Sequence, residues 1–98
     1  MISGERELLQ RAAIRLALRR GSLPHDPAFG STLHRLNAAE SRAARSARAL
    51  AAARQALAPL PQVEVRAADC AWDPTSRRLT VRVSLALLGR DYQLEVDV

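Results

Sequence analysis

The spacing of apolar residues changes once along this chain, at Leu60-Pro61, and this change limits the possible folds more than any other feature. Before it, apolar residues follow the helical period of about 3.6 positions. After it, they alternate with polar residues, as in strands with one buried face. A chain of 98 residues is long enough for one domain. The pattern therefore predicts a single α+β domain over residues 1–98, with two N-terminal helices and then a three-stranded antiparallel sheet that ends in a β-hairpin.

The first predicted helix covers Ser3 to Arg20. Its first turn is acidic and its last turn is basic, which suits the helix dipole, and Gly21 ends it. Most of its apolar residues share one face, but Ile14 and Leu18 lie outside that face. Two interpretations stay open: these two side chains pack inside the domain, or they contact a second protein.

A loop rich in proline and glycine joins the two helices between residues 21 and 30. Two prolines and two glycines within ten residues predict an irregular but ordered surface segment. Phe29, the only phenylalanine, is expected to anchor this loop against the core. The residues expected to organise the loop are Gly21, Pro24, Pro27, Phe29 and Gly30.

The second predicted helix starts from a capping signal at Asn37, with Glu40 three positions later, and runs to about Ala58. One arc of this helix is apolar: Ala39, Ala43, Ala47, Leu50 and Leu57. The opposite arc carries arginines: Arg42, Arg45 and Arg48. We expect the apolar arc to pack closely on the sheet and the arginine arc to face solvent.

Three strands are predicted after residue 61. The first alternates from Val63 to Ala68, with an irregularity over residues 69–71. Asp73-Pro74-Thr75-Ser76 is typical of a turn, and the second strand alternates from Leu79 to Leu87. Gly89-Arg90 predicts a two-residue turn with glycine first, which leads into the last strand.

That turn fixes a register for the hairpin. Apolar residues then pair on one face: Leu87 with Tyr92, Leu85 with Leu94, Val83 with Val96, and Val81 with Val98. On the other face Arg82 meets Asp97, and Ser84 meets Glu95. The last strand is expected to be an edge strand, with one row of unpaired backbone donors and acceptors.

The composition restricts the function classes. The net charge of +5 comes from arginine, since the chain contains no lysine, and such a bias is typical of a GC-rich coding background. The only aromatic residues are Phe29, Trp72 and Tyr92, so no aromatic platform is available for stacking bases. A small nucleic-acid-binding protein, using the outer face of the second helix, remains the alternative interpretation.

The sequence shows no constellation that would carry catalysis. His25 and His34 lie in the loop region without a second cluster to complete a metal site, and Cys70 is the only cysteine. We therefore expect no enzyme activity, no metal and no cofactor. The start of the chain lacks the features of a signal peptide, and no apolar run approaches the roughly 20 residues of a membrane span. A soluble protein made in the cytosol is expected, without a membrane partner.

The segment from Leu18 to Leu33, Leu-Arg-Arg-Gly-Ser-Leu-Pro-His-Asp-Pro-Ala-Phe-Gly-Ser-Thr-Leu, is the most specific part of the chain. Its Arg-Gly turn, Asp-Pro, aromatic-Gly and following leucine resemble a loop of the small baseplate wedge proteins, or sheath initiators, of contractile phage tails and related injection machines. The resemblance extends from about Leu8 onwards. It implies a structural virion component, present in several copies in a symmetric assembly, whose partners are other baseplate proteins and sheath or tube subunits.

One departure from that family lies where many members carry Glu-Pro-Arg, because this chain has Leu60-Pro61-Gln62. Only the proline is kept, so the contacts of that Glu and Arg do not transfer. In the family, the terminal strands are a template onto which sheath arms add by β-augmentation. The resemblance implies interface residues on the hairpin, with two helix residues as further candidates: Val81, Val83, Leu85, Leu87, Tyr92, Leu94, Val96, Val98, Ile14 and Leu18.

A lysozyme label has been attached to parts of this family. A glycosidase needs two carboxylates facing one cleft, and the acidic residues of this chain fall at helix starts, turns and strand surfaces. The sequence therefore gives a hydrolytic function no support.

Overall fold

A computed structural model describes residues 3–98 of the chain. The elements in order are α1 (Ser3–Ala17), a short 3₁₀ helix (Leu33–Arg35), α2 (Arg42–Leu57), β1 (Val63–Asp73), β2 (Arg78–Leu87) and β3 (Arg90–Asp97). The strands form one antiparallel sheet in the order β1-β2-β3. The predicted fold class, two helices followed by a three-stranded antiparallel sheet, is confirmed.

The core lies between the two helices and one face of the sheet. Helix α2 packs against β1 and α1 packs against β3, and the largest fully buried side chains include Leu16, Leu57, Val81 and Leu85. Burying each aliphatic side chain of this kind stabilises the fold by about 1.5–3 kcal/mol. The other face of the sheet is polar and exposed, which explains the alternation in the sequence.

Helix α1 ends at Ala17, three residues before the predicted end. The chain leaves the helix there because Ser31 pairs with its last turn. The Ser31 hydroxyl donates to the Leu16 carbonyl at 2.7 Å, the Ser31 N–H donates to the Leu18 carbonyl at 2.8 Å, and the Arg20 N–H donates to the Ser31 carbonyl at 2.9 Å. The far end of the loop thus satisfies carbonyl groups that a helix end leaves free.

Helix α2 begins later than predicted. Its N-cap is Ser41, whose side-chain oxygen accepts the Ala44 N–H at 3.2 Å. Asn37 accepts the Ala39 N–H at 2.9 Å and so stabilises a separate turn before the helix. Both residues are good caps, and the sequence signal at Asn37 was assigned to the wrong element.

The predicted buried arc of α2 is wrong in part, because Ala43 and Ala47 are exposed while Arg45 is only 8% exposed. The Arg45 guanidinium donates through Nη1 to the carbonyls of Ala38, at 2.9 Å, and Glu40, at 3.0 Å. It therefore holds the segment before α2 against the helix. The sheet-facing positions are taken by a different set of small residues and one leucine: Ala49, Ala52, Ala53, Ala56 and Leu57.

The predicted hairpin register is wrong by two residues. The observed pairs are Leu85 with Tyr92, Val83 with Leu94, Val81 with Val96, and Arg82 with Glu95. The turn is Leu88-Gly89, with φ of 53° and 82°, which is the positive-φ pair of a type I′ turn. A shift of two keeps every side chain on its face, so matching apolar with apolar residues did not distinguish the two registers.

The position of β1 accounts for the observed register. Cys70 lies opposite Val81 but donates its N–H to Ser46 of α2, so the odd-numbered residues of β2 do not bond to β1. The backbone groups of the even-numbered residues of β2 therefore form hydrogen bonds with β1, and those of the odd-numbered residues form hydrogen bonds with β3. In the predicted register, the even-numbered residues of β2 would have had to form hydrogen bonds with β3 as well. In β1 the irregularity lies between Val65 and Ala67 and not over residues 69–71.

Candidate functional site

The outer edge of β1 is closed by α2. The Cys70 N–H points away from the sheet and donates to Ser46 Oγ at 3.2 Å. Ser46 in turn donates to Asp69 Oδ1 at 2.9 Å, and the Arg42 guanidinium donates to the same carboxylate at 3.2 and 2.5 Å. A strand pairing at Cys70 would have to displace this hydrogen bond to α2.

The charge of Asp69 is well stabilised in this arrangement. Hydrogen bonds from Arg42 and then Ser46 lower the pKa of its carboxyl group to about 2. The carboxylate therefore stays ionised across the physiological range and remains an acceptor for Arg42 and Ser46.

The outer edge of β3 is open. The Val98 N–H donates to the Leu79 carbonyl at 2.9 Å, so Val98 and the even-numbered residues before it turn their backbone groups towards β2. The backbone groups of the odd-numbered residues point away from the sheet: Asp91, Gln93, Glu95 and Asp97. Within residues 3–98, no backbone hydrogen bond of β3 goes to a strand on that side.

The side chains of these four outward-facing residues lie on the polar face of the sheet. Three are carboxylates, with 81% (Asp91), 57% (Glu95) and 65% (Asp97) of each side chain exposed. Each carboxylate lies near an arginine of β1 or β2: Asp91 is 3.6 Å from Arg66, Glu95 is 3.0 Å from Arg82, and Asp97 is 3.9 Å from Arg78. Exposed pairs of this kind contribute only about 0–1 kcal/mol each. We call Asp91, Gln93, Glu95 and Asp97 the free edge.

The structure separates the predicted hairpin interface into two groups. The β2 side chains are fully buried in the core: Val81, Val83, Leu85 and Leu87. Because β2 is the central strand, it also has no free backbone edge, so these four residues belong to the interior and cannot contact a partner. The β3 side chains lie beside α1 and keep some exposure: Tyr92, Leu94 and Val96 are half-buried, and Val98 is 37% exposed.

Tyr92 connects β3 to the start of α1. Its hydroxyl donates to the Glu5 carboxylate at 2.7 Å, and the Arg90 guanidinium lies 3.6 Å from the same carboxylate. The hydrogen bond to Glu5 raises the pKa of Tyr92. This contact helps to hold α1 over the inner face of the edge strand, so the edge presents one side covered by a helix and one side exposed to solvent.

Two residues of the first predicted helix, Ile14 and Leu18, were further interface candidates. Ile14 is 46% exposed, whereas Leu18 is half-buried beside the loop. The structure also exposes Leu88 by 61%, in the hairpin turn, and Trp72 by 38%. Leu88 was predicted at the end of the second strand, whereas it lies in the turn, because the observed turn begins one residue earlier than Gly89-Arg90.

The loop residues occupy definite positions. Gly21 and Gly30 have positive φ, of 89° and 106°, and a Cβ on Gly30 would lie 2.6 Å from the Leu18 carbonyl oxygen. Phe29 is half-buried and lies outside the core, since it packs under the Arg15 guanidinium at 4.4 Å from the ring centre. Pro24 and Pro27 are exposed. The loop is thus fastened to the end of α1.

No group of three or more His, Cys, Asp and Glu side chains in residues 3–98 is arranged to hold a metal ion. Cys70 is buried, and burial raises the pKa of its thiol. In the same part of the chain, no helix has the length and apolar character needed to cross a bilayer.

The sequence predicted the last strand as an edge strand, which the strand order confirms, but it did not identify the four residues of the free edge. They are the polar positions of the last strand, which alternation assigns to the solvent face. Sequence alone did not show that these same residues also direct their backbone groups outward, because that depends on the register.

Comparison with known proteins shows a similarity in fold. No family model and no curated protein matches the sequence. The fold is similar to the crystal structure of a protein described as a "putative tail lysozyme" from Geobacter sulfurreducens, with a TM-score of 0.78 and 17% identity. The matched region covers 100% of this chain and 92% of that one. At this identity the similarity establishes a shared fold with a tail protein.

Proposed function

We propose that this chain is a structural component of a phage tail, or of a tail-like particle, and that it joins a neighbouring subunit by accepting a strand at the free edge. The observation that carries the proposal is the contrast between the closed edge of β1 and the open edge of β3. The shared fold with a tail protein supports the setting. Within that setting, we assign the chain to the link between baseplate and sheath or tube.

Strand addition matches the groups that the free edge offers. Four successive outward-facing residues each present an unpaired N–H and an unpaired carbonyl. Each backbone hydrogen bond formed there contributes about 0.5–1.5 kcal/mol net. A partner strand can therefore bind through its backbone alone, while its side chains determine specificity.

The Leu60-Pro61-Gln62 segment supports a changed contact at the junction between α2 and β1. Leu60 is only 8% exposed and belongs to the core, whereas Pro61 and Gln62 are exposed. No charged side chain is available at these three positions, so we propose that the subunit link depends on the free edge and not on an ionic contact here.

We also propose that the chain is not an enzyme, although the similar tail protein carries a lysozyme name. A glycosidase needs a carboxylic acid with a raised pKa beside a second carboxylate. In the described residues the carboxyl groups with a resolved shift, Asp69 and Asp73, both have lowered pKa values, because each accepts hydrogen bonds. Four surface pockets of the molecule are each lined by at most one carboxylate.

The nucleic-acid alternative depends on the outer arc of α2, and the contacts of its three arginines disfavour it. Arg42 is paired with Asp69, Arg48 lies 3.2 Å from Glu40, and Arg45 is buried. Tight binding to duplex DNA at low salt, with a collapse towards physiological salt, would support this alternative instead.

The substitution Glu95→Pro tests the proposal. The Glu95 N–H points outward, so proline removes an edge donor and leaves the β2–β3 hydrogen bonds in place. We expect the protein to fold, as seen by circular dichroism, and its incorporation into tail particles to fall strongly. Glu95→Ala is the matched control, because it loses the same carboxylate and keeps the N–H. Normal incorporation of the Glu95→Pro protein would contradict the proposal.

A further inference from the structure

We infer that the strand accepted at the free edge is a segment with Arg or Lys at alternate positions and apolar residues between them. This inference rests on the strand addition proposed above and adds the chemistry of the partner. It follows from two properties of the free edge: all four residues direct their backbone groups outward, and three of them carry acidic side chains.

On the polar face of the sheet, an added strand would lie beside the acidic side chains of the free edge. Side chains directly opposite each other on neighbouring strands lie about 4.5–5.5 Å apart, and opposite charges are favoured there. A strand added at the free edge would place one row of its side chains beside Asp91, Gln93, Glu95 and Asp97. Three of these four are carboxylates, and none is basic.

The carboxylates of the free edge already lie near arginines of the neighbouring strands. Arg66, Arg82 and Arg78 approach their carboxylates from the inner strands, at 3.6, 3.0 and 3.9 Å. An ionised carboxylate has two oxygens and about four acceptor sites, and these carboxylates stay more than half exposed. Each retains acceptor capacity on the side from which a new strand would arrive.

The carboxylates of the free edge disfavour a second copy of this chain as the partner at this edge. Pairing one free edge with another would place a row of carboxylates beside an identical row, and like charges opposite each other are destabilising. The carboxylates therefore prevent edge-to-edge pairing and select a partner of opposite charge. This acidic strip is local, because the whole chain carries a net charge of +5.

The other face of the incoming strand would lie on the core side of the sheet. Its alternate side chains would lie beside Tyr92, Leu94, Val96 and Val98, which are half-buried or, for Val98, 37% exposed. Leu94 and Val96 pack against the core. Apolar side chains would extend that packing, so the expected pattern is alternation of apolar and basic residues.

Three synthetic peptides of equal length test the inference. They share the same apolar residues and carry Arg, Ser or Glu at the alternate positions, and their binding to the full chain is measured by fluorescence anisotropy at low and high salt. We expect the Arg peptide to bind about tenfold more tightly than the Glu peptide, with the Ser peptide between them. The difference should shrink at high salt, because exposed charges are screened.

A charge exchange between two paired residues is the matched variant. The double substitution Arg82→Glu with Glu95→Arg keeps the cross-strand ion pair, so the fold is preserved, and reverses the charge at the centre of the free edge. We expect it to weaken binding of the Arg peptide and to strengthen binding of the Glu peptide. Thermal unfolding of the variant checks that the fold is intact.

The outcomes separate the inference from the proposed function. Equal affinity of the three peptides for the chain, together with reduced binding to Glu95→Pro, would overturn the charge preference and leave strand addition standing. No binding of any peptide, or equal binding to wild type and Glu95→Pro, would overturn both. An Arg preference that the charge exchange does not change would also overturn the inference, because the basic residues would then be recognised elsewhere.

Discussion

The two edge strands of this sheet, β1 and β3, differ in whether their outward backbone groups have partners. At β1, the outward Cys70 N–H is satisfied by Ser46, and α2 covers the strand. At β3, the outward backbone groups have no strand to pair with in the described residues. This fold places a helix against one edge and carboxylates along the other. In the account proposed above, the carboxylates disfavour edge-to-edge pairing of two copies and leave the edge open to a strand of opposite charge.

Proline at neighbouring positions of β3 gives the largest expected effect. The Leu94 N–H faces β2, so Leu94→Pro removes a hydrogen bond inside the sheet and part of the packing of a half-buried leucine. We expect a loss of about 3 kcal/mol or more in the free energy of unfolding, measured with urea. Glu95→Pro, whose N–H faces outward, is the control and should lose far less. Equal losses at the two positions would show that β3 has no open side.

Opening the closed edge should have an intermediate effect. Ser46→Ala removes the acceptor of the Cys70 N–H and one donor to Asp69. We expect a loss of about 1–2 kcal/mol and faster hydrogen exchange at the Cys70 amide. Ser22→Ala, which removes an exposed hydroxyl bonded to the Arg19 carbonyl, should change stability much less. Unchanged exchange at Cys70 would contradict the closure of this edge by α2.

The hairpin turn provides a smaller effect of opposite sign. Leu88 has a φ of 53° and is 61% exposed, and a left-handed conformation costs a residue of this type about 1–2 kcal/mol. Asparagine tolerates it better and favours type I′ turns, so Leu88→Asn should raise the free energy of unfolding by about 1 kcal/mol. Leu88→Ala should not, since alanine keeps the penalty. A destabilised Leu88→Asn protein would favour the register in which residue 88 belongs to a strand.

The pH dependence of the closed edge should give the smallest effect. The pKa of Asp69 is about 2 in the folded protein, below its ordinary value of 3.8, so the stabilisation by the ionised carboxylate is fully present above pH 3.8 and is lost as the pH falls through about 2. We expect the stability difference between wild type and Asp69→Asn to be constant near neutral pH and to disappear in that window. Its size is limited by solvent screening, because 46% of the Asp69 side chain is exposed. A difference that persists at pH 1.5 would contradict this account.

The sequence predicted the order of elements because helical and strand periods differ strongly on either side of Leu60-Pro61. It did not predict the buried side of α2, because alanine occurs around most of that helix and gives little contrast. Arg45 is buried through hydrogen bonds to the carbonyls of Ala38 and Glu40, and no periodicity shows such bonds.

The register of the hairpin also could not be predicted from the pattern of apolar residues. Two alignments that differ by two residues pair the same kinds of side chain. The choice between them depends on β1, which uses the even-numbered backbone groups of β2. The free edge follows from that choice, since the predicted register would have turned the N–H groups of residues 92, 94 and 96 outward. The residues of the proposed interaction surface are therefore determined by a long-range pairing.

Amide hydrogen exchange along β3, measured by NMR on the full chain with and without the Arg peptide, tests the central claim most directly. In the free chain we expect fast exchange at residues 91, 93, 95 and 97, alternating with slow exchange at residues 92, 94 and 96. On binding, the four fast amides should become protected while the others change little. Fast exchange that persists at these four amides in the complex would contradict strand addition at β3.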